Sequence, residues 1–197
     1  NSLLFFFFCA SVLSAQQTGA LLFDGVDDFA TINFSSSTPE LTLQNQTFKI
    51  IFKAFPTNGN QVLISQESSA GLDLTVGINT DGIFYISHGS TNHAIQSGPL
   101  DDGQCHEVAL SFDRGKLIAY IDAVQYELEE TNFTGFNSSA PFYLGSTAGL
   151  TNFFLGSIED IAWRNTSSNQ TEINSTYLKP GVLQDSVRVA YFSFWNF

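Results

Sequence analysis

Three aspartates near the start of the chain are close enough in sequence to hold a metal ion. Asp24, Asp27 and Asp28 fall within five residues around Gly25, whose backbone is free to turn. Calcium binds about six to eight oxygen atoms, often from carboxylates and from the carbonyls of a glycine-bearing loop. We therefore expect one structural Ca²⁺ ion at this turn. Because Asp and Gly also favour turns without a metal, a turn with solvated acids remains the alternative.

Paired carboxylates could hydrolyse a glycosidic bond if they faced each other across a groove. Glu159 and Asp160 are adjacent, so they point to opposite faces of a strand. Glu127 and Glu129 share a face, but a solvated edge or loop explains them more simply. The sequence contains no Gly-x-Ser-x-Gly elbow, phosphate-binding glycine loop or dinucleotide-binding motif. We predict that the protein has no catalytic residues and is not an enzyme.

Four polar or aromatic residues are candidates for binding a glycan. Asn92 and His93 lie in the stretch 87–97, which we expect to be a loop, and Asn152 and Phe153 precede the predicted closing strand 155–164. Amide groups hydrogen-bond sugar hydroxyls, and aromatic rings offer an apolar face with a polar edge. An ordinary loop would account for Asn92 equally well. No two histidines have the spacing of a zinc site.

The excess of acidic residues excludes two classes of partner. The 197 residues include 19 acidic and seven basic ones, which gives a formal net charge of −12. Such a surface repels phosphate backbones and anionic lipid headgroups. No apolar stretch is long enough to span a bilayer. We therefore expect neither nucleic-acid binding nor membrane insertion.

The N-terminal segment has the pattern of a targeting signal. An apolar run that includes four consecutive phenylalanines is followed by Ser14 and Ala15, small residues of the kind that signal peptidase cleaves after. We expect residues 1–15 to be a signal peptide that is incomplete at its own N-terminus. Residues 16–176 should then form one domain, and 177–197 an extension that begins a further segment. The protein is accordingly expected to be secreted or extracellular, and linked to further domains.

Secretion would make the Asn-x-Ser/Thr sequons available for glycosylation. We expect N-linked glycans at the seven sequon asparagines, namely Asn33, Asn45, Asn132, Asn137, Asn165, Asn169 and Asn174.

Cleavage after Ala15 would also leave Cys105 as the only cysteine of the mature chain. Its context in a strand favours burial as a small apolar side chain over pairing with another chain or domain.

Short alternating segments separated by turn signals dominate the rest of the sequence, and they predict an all-β fold. In the clearest one, Phe48, Ile50 and Phe52 share a face opposite Lys49 and Lys53, which predicts a half-buried strand. No segment of helical length has a 3.6-residue period. The predicted strands are 46–55, 61–65, 72–78, 82–87, 105–112, 116–122, 142–145 and 155–164. Their even spacing is typical of a two-sheet antiparallel sandwich.

Five segments resemble, in order, the laminin-G-like domains of the concanavalin A-like lectin/glucanase superfamily. They are LFDGVDDFATI (22–32), DGQCHEVALSFD (102–113), LIAYIDA (117–123), FYLGS (142–146) and FLGSIEDIAW (154–163). The sequence departs from the family pattern at Cys105, Glu107 and Ala123, where the family has Trp, His and Gly. His106 stands at a position that has a structural role in the family.

The resemblance implies a jelly roll in which the opening strand lies beside the strand that ends at Trp163. In that arrangement Asp160 could reach the acidic turn as a fourth metal ligand. It also implies a secreted, non-catalytic binding module, which recognises a glycan or an extracellular protein within a larger surface protein. The alternative is an accessory or catalytic domain of a polysaccharide-degrading glycoside hydrolase, because this fold hosts both.

Overall fold

The structure, a computed structural model, describes residues 19–33, 45–66, 74–88, 91–128, 140–178 and, as backbone, 188–193. These residues form two packed antiparallel sheets and one short helix, which confirms the all-β sandwich. The strands are β1 (Leu21–Asp24), β2 (Ala30–Ile32), β3 (Asn45–Ala54), β4 (Gln61–Gln66), β5 (Leu74–Ile78), β6 (Phe84–His88), β7 (Thr91–Ile95), β8 (Cys105–Asp113), β9 (Lys116–Ile121), β10 (Val124–Glu127), β11 (Phe142–Leu144), β12 (Leu155–Arg164) and β13 (Arg188–Ser193). The helix is α1 (Gln170–Thr176).

Each sheet joins strands that are distant in sequence. The seven-stranded sheet has the order β1-β12-β3-β8-β9-β10, and β13 also pairs with β12. The six-stranded sheet has the order β2-β11-β4-β5-β6-β7. The opening strand β1 pairs with β12, as the resemblance implies, and this register places Asp24 opposite Leu155.

The core lies between the sheets and is formed by the alternate residues that face inward. Phe48, Ile50 and Phe52 of β3 belong to this core, and Phe48 contacts Trp163 of β12 at 5.1 Å between ring centroids. Trp163 in turn contacts Phe142 across the sandwich at 5.2 Å. Between β8 and β9, Arg114 and Gly115 both have positive φ, which is the geometry of a tight hairpin turn that favours glycine. This turn joins the two strands that the sequence predicts at 105–112 and 116–122.

The outer face of the seven-stranded sheet is covered, contrary to the expectation of a half-buried β3. Thr47, Lys49 and Ile51 are all buried, although they point away from the core. The segment that contains α1 lies over them: Thr47 Oγ1 donates a hydrogen bond to the Thr166 carbonyl at 2.8 Å. Ile173 of α1 packs against Ala109 and Tyr120 in a small second apolar cluster.

The helix itself was not predicted, because seven residues are too few for a helical period to be recognised. Asn169 caps it: its side chain accepts a hydrogen bond from the Glu172 amide, and the Glu172 side chain accepts one from the Asn169 amide. Such a reciprocal capping box stabilises the first turn of a helix. Within the described residues, no helix is long and apolar enough to cross a membrane.

The C-terminal stretch also contributes to the sandwich. Strand β13 lies within residues 177–197, which the sequence placed outside the domain, yet it pairs with β12 from Asp160 to Arg164. The proposed boundary after residue 176 therefore does not coincide with the end of the sheet. The predicted signal peptide, residues 1–15, lies outside the described residues.

Candidate ligand-binding site

The acidic turn and several loops come together at one end of the sandwich, here called the loop end. Strands β1 and β3 finish at this end, and β4, β8 and β12 begin there. Hydrogen bonds connect the loops: the Phe55 amide donates to the Leu155 carbonyl at 3.0 Å, and the Gly103 amide donates to the Ala54 carbonyl at 2.9 Å. Gln61 joins them by donating to the Phe55 carbonyl and accepting from the Leu155 amide.

The acidic turn joins β1 to β2 and brings three carboxylates together in solvent. One carboxylate oxygen from each of Asp24, Asp27 and Asp28 lies within 4.8 Å of the others, and all three residues are exposed. Backbone amides already bind two of these side chains: Val26 donates to Asp24 Oδ1 at 2.8 Å, and Asp24 donates to Asp28 Oδ2 at 3.1 Å. The described residues provide no basic partner for any of the three. The donor set is one of hard oxygen atoms, which suits calcium chemically.

Asp160 does not lie with the three carboxylates of the acidic turn. The prediction that it is a fourth metal ligand is wrong, for two reasons. The register that pairs Asp24 with Leu155 leaves Asp160 five residues further along β12, about 17 Å away at the rise of a strand. Asp160 is also buried, with 1% of its surface exposed, whereas the turn is in solvent. A register shift between Ile158 and Asp160 on the side of β3 changes the direction of the side chains at this point.

An exposed apolar surface lies beside the acidic turn, and we call Phe29, Tyr143 and Leu150 the apolar platform. Thr31 pairs with Tyr143, and Phe29 lies two residues before Thr31, so both rings are on the outer face of the six-stranded sheet. Their ring centroids are 6.3 Å apart. Phe29 is 48% exposed and Leu150 75% exposed. Sequence reasoning missed the platform, because only the β2–β11 pairing brings these residues together.

A glycine keeps the Phe29 ring close to the neighbouring loop. A Cβ atom at Gly149 would lie 3.0 Å from this ring, and Gly149 has a φ of +73°, which a side chain rarely adopts. The loop therefore places Leu150, the residue after Gly149, on the Phe29 side of the platform. Bulky apolar groups left in water in this way commonly mark a binding surface.

Asn152 and Phe153 reach the same end of the molecule. Asn152 is exposed, has a φ of +56°, and donates from Nδ2 to Thr147 Oγ1 at 3.2 Å. Its carbonyl accepts a hydrogen bond from the Val62 amide at 3.0 Å, which fixes the loop against the start of β4. Phe153 is half-buried, and Phe154 belongs to the core. The structure thus brings these two sequence candidates together with the acidic turn.

Asn92 and His93 lie elsewhere, in a strand instead of the expected loop. They belong to β7, the edge strand five strands away from β2, about 24 Å at the usual spacing. Asn92 occupies the register row of Thr31 and Tyr143, which continues through Ser65, Thr75 and Ser87. Ser65 is buried on this row and donates to the Ser146 carbonyl at 2.9 Å. The loop at Ser146 therefore separates Asn92 from the platform.

His106 is held between two carboxylates at the loop end. Its Nδ1 lies 2.7 Å from Asp122 Oδ2, and its Nε2 lies 3.0 Å from Asp102 Oδ1. Burial lowers the pKa of His106, but hydrogen bonds and the charges of Asp122 and Asp102 outweigh this effect and raise the pKa. The contact of the ring with Phe52 confirms a position at the edge of the core.

The acids considered for catalysis do not form a pair across a groove in the described residues. Glu159 and Asp160 are both buried within β12. Glu127 lies on the edge strand β10, where Gln125 Nε2 donates to it at 3.2 Å. Glu129 lies outside the described residues.

The state of Cys105 differs from the buried, unpaired side chain that the sequence predicts. The residue is half-buried and disulfide-bonded, so it is not a buried free thiol. The only other cysteine of the sequence, Cys9, belongs to the predicted signal peptide and lies outside the described residues, so cleavage after Ala15 would remove the partner that this bond requires. Among the sequon asparagines, Asn33, Asn169 and Asn174 are exposed, and Asn45 and Asn165 are half-buried. Asn132 and Asn137 lie outside the described residues.

The fold and the sequence define the family. Residues 24–174 match a laminin-G family model described as the concanavalin A-like lectin/glucanases superfamily, and the chain belongs to this family. A comparison with curated proteins found no match.

Solved structures with the same fold include several binding proteins. A putative carbohydrate binding protein from Bacteroides ovatus has 17% identity and a TM-score of 0.69, over 89% of this chain and 51% of its own. The heptameric SAP-like pentraxin from Limulus polyphemus has 12% identity and a TM-score of 0.57, over 84% and 90%. The CBM40 of the Ruminococcus gnavus IT-sialidase has 18% identity and a TM-score of 0.55, over 69% and 84%. At these identities the likeness establishes the fold.

Proposed function

We propose that the protein is a secreted, non-catalytic module that binds a glycan at its loop end. The observation that carries this proposal is the apolar platform beside the acidic turn, because an exposed aromatic surface next to hydrogen-bonding groups suits the apolar face and the hydroxyls of a sugar. The similar fold of the putative carbohydrate binding protein from Bacteroides ovatus supports the same class of ligand. Secretion would follow from residues 1–15 and would allow glycosylation of the sequons.

The proposal is tested by measuring glycan binding to variants of the platform. Phe29→Ala and Tyr143→Ala should each weaken binding at least about tenfold, because central aromatic contacts dominate binding energy. Val124→Ala is the matched control, since Val124 is 54% exposed on β10 at the edge of the other sheet. If a glycan array gives no hit and a protein partner binds through the same platform, the function is adhesion and not glycan recognition.

Absence of hydrolysis is part of the same proposal. Oligosaccharides that bind should be recovered intact after prolonged incubation with the protein, as chromatography of the products would show. Turnover that disappears in Glu159→Gln or Glu127→Gln would instead identify a glycoside hydrolase.

We further propose that the acidic turn binds one structural Ca²⁺ ion through Asp24, Asp27 and Asp28. Three crowded carboxylates repel one another, and a cation relieves that repulsion. Calcium that binds only the native state should raise the melting temperature as its concentration increases. Calorimetric melting with calcium and with chelator checks this, and Asp28→Asn should reduce the difference. Equal melting temperatures under both conditions would show that the turn is held by its backbone hydrogen bonds alone.

A further inference from the structure

The charged side chains that the structure describes are unevenly distributed between the two ends of the sandwich. Besides the acidic turn, the loop end carries Asp81 in the β5–β6 turn and Asp101 in the loop before β8. These two loops touch, because the Leu100 amide donates to the Gly82 carbonyl at 2.8 Å. The Asp101 side chain packs so closely on Gly82 that a Cβ atom there would overlap it.

The basic side chains are mostly elsewhere. Arg114 lies in the β8–β9 turn at the opposite end, and Lys116 begins β9 there. Arg164 ends β12 at the same end, where it pairs with Glu172 at 3.2 Å. Lys49 is buried in an ion pair in the middle of the sheet. Of the lysines and arginines whose side chains the structure describes, Lys53 alone lies at the loop end, with its ammonium 5.4 Å from the centre of the Phe55 ring. His106 also lies there, but Asp102 and Asp122 already bind both of its ring nitrogens.

A ligand on the apolar platform therefore meets carboxylates and few cations. Anionic sugars would be repelled by this end, and neutral sugars would leave its charges unpaired. A protonated amine, by contrast, can bind the exposed carboxylates directly while the sugar ring contacts Phe29 and Tyr143. Charge complementarity thus selects one chemical class of glycan.

We propose that the loop end selects glycans that carry primary amino groups, such as oligomers of β-linked glucosamine, over neutral and anionic glycans. This inference rests on the proposed function, because it assumes that the platform binds sugars. Phe29 and Tyr143 provide the apolar contact, and Asp27 and Asp28 provide part of the charge selection.

The test compares two ligands that differ in the group on C2 of the sugar, which is a protonated amine in one and a neutral acetamide in the other. Glucosamine oligomers and N-acetylglucosamine oligomers of equal length and linkage are titrated into the protein by calorimetry, at a pH where the amines are protonated and the aspartates ionised. The glucosamine oligomer should bind at least about fivefold more tightly at low salt, because several exposed ion pairs each contribute modestly. The preference should shrink as salt is added, since exposed charges are screened over roughly 8 Å at physiological ionic strength. Because calcium would occupy the same carboxylates, the preference should be measured in chelator and should shrink when calcium is added.

Variants separate charge selection from sugar recognition. Asp27→Asn combined with Asp28→Asn should reduce the ratio of the affinity for the amine oligomer to that for the N-acetylated oligomer, because asparagine keeps a hydrogen-bonding group and removes the charge. Asp113→Asn, an exposed acid at the opposite end, is the matched control and should leave this ratio unchanged. Circular dichroism verifies that each variant is folded.

The possible failures are distinguishable. Equal affinities for the two oligomers, or tighter binding of a sialylated oligosaccharide, would overturn the inference and leave glycan binding intact. If no glycan binds at all, both the inference and the proposed function are wrong. If a lysine oligomer of equal charge binds as tightly and Phe29→Ala has no effect, charge alone attracts the ligand, and a basic protein becomes the favoured partner.

Discussion

At the scale of single residues, His106 should make the stability of the domain depend on pH near neutrality. Its two carboxylate partners raise its pKa above the ordinary value of 6.5. A histidine with a raised folded-state pKa contributes stability that is complete below its unfolded pKa and is lost as the pH rises through the folded pKa. The free energy of unfolding should therefore fall as the pH increases above about 6.5.

Denaturant unfolding across this pH range measures the effect. His106→Gln should flatten the curve in that window, because glutamine does not titrate. His88→Gln, at the end of β6, serves as the control and should leave the slope in place. An unchanged slope in His106→Gln would show that other groups cause the pH dependence.

The sequence identified the acidic turn because its three aspartates are neighbours in the chain, and local spacing alone brings their oxygens together. It did not identify the platform, since Phe29 and Tyr143 are 114 positions apart and meet only through the pairing of β2 with β11. Asp160 was assigned incorrectly for a related reason: the neighbour relation of β1 and β12 was correct, but the register within the pair cannot be read from the sequence.

At the scale of elements, the start of β12 requires glycine at position 156. A Cβ atom at Gly156 would lie 2.0 Å from the Lys53 carbonyl oxygen, and this is a backbone atom that cannot move aside. Gly156 also has a φ of +155°. We expect Gly156→Ala to lower the free energy of unfolding by at least about 2 kcal/mol, because overpacking and an unfavourable φ act together.

Gly59→Ala is the matched control for this prediction. Nothing lies within 4 Å of a Cβ atom at Gly59, so its stability should change little in the same denaturant titration. Similar effects of the two substitutions would mean that β3 and β12 are less closely paired at this point than the structure has them.

A buried ion pair on the outer face of the seven-stranded sheet binds the segment that follows β12. Lys49 Nζ lies 2.7 Å from Glu107 Oε2, and both side chains are 1% exposed. Lys49 also donates to the Thr176 carbonyl, and the Leu178 amide donates to Glu107. Burial raises the pKa of Glu107 more than the charge of Lys49 lowers it, so desolvation opposes this pair.

Removing one partner of the ion pair should therefore lower the free energy of unfolding more than removing both partners. Lys49→Met leaves the Glu107 carboxylate buried without its cation, and we expect a loss of about 3–5 kcal/mol. The double variant Lys49→Met/Glu107→Leu should recover most of that loss. Chemical denaturation measures both, and limited proteolysis after residue 178 reports whether α1 remains attached. A double variant as unstable as the single one would show that the pair itself holds the helix.

Strands were the elements best predicted from sequence, because the two-residue period of β3, β8 and β12 is long enough to recognise. The burial of both faces of β3 could not be foreseen. It depends on α1, a helix of seven residues whose stability comes from the Asn169 cap and from the packing of Ile173. Tertiary contacts of that kind leave no period in the sequence.

At the scale of the whole molecule, the net charge of −12 should make stability depend on salt. Repulsion among the carboxylates of the loop end destabilises the compact state, and added salt screens it. We expect sodium chloride to raise the melting temperature by a few degrees between about 10 and 150 mM, measured in chelator. Asp27→Asn/Asp28→Asn should show a smaller rise. A melting temperature that falls with salt would indicate that favourable ion pairs outweigh the repulsion.

Strands β1 and β13 share one edge of β12, and this arrangement has a mechanical consequence. Leu21, where β1 starts, lies opposite Ile158, and Ser193, where β13 finishes, lies opposite Asp160. The first residue of β1 and the last residue of β13 thus lie about 7 Å apart, two residues along one strand. A pulling force between the two flanks would peel β1 and β13 away from the middle of β12, opening their hydrogen bonds one after another. The remaining strands would not be stretched until both had separated.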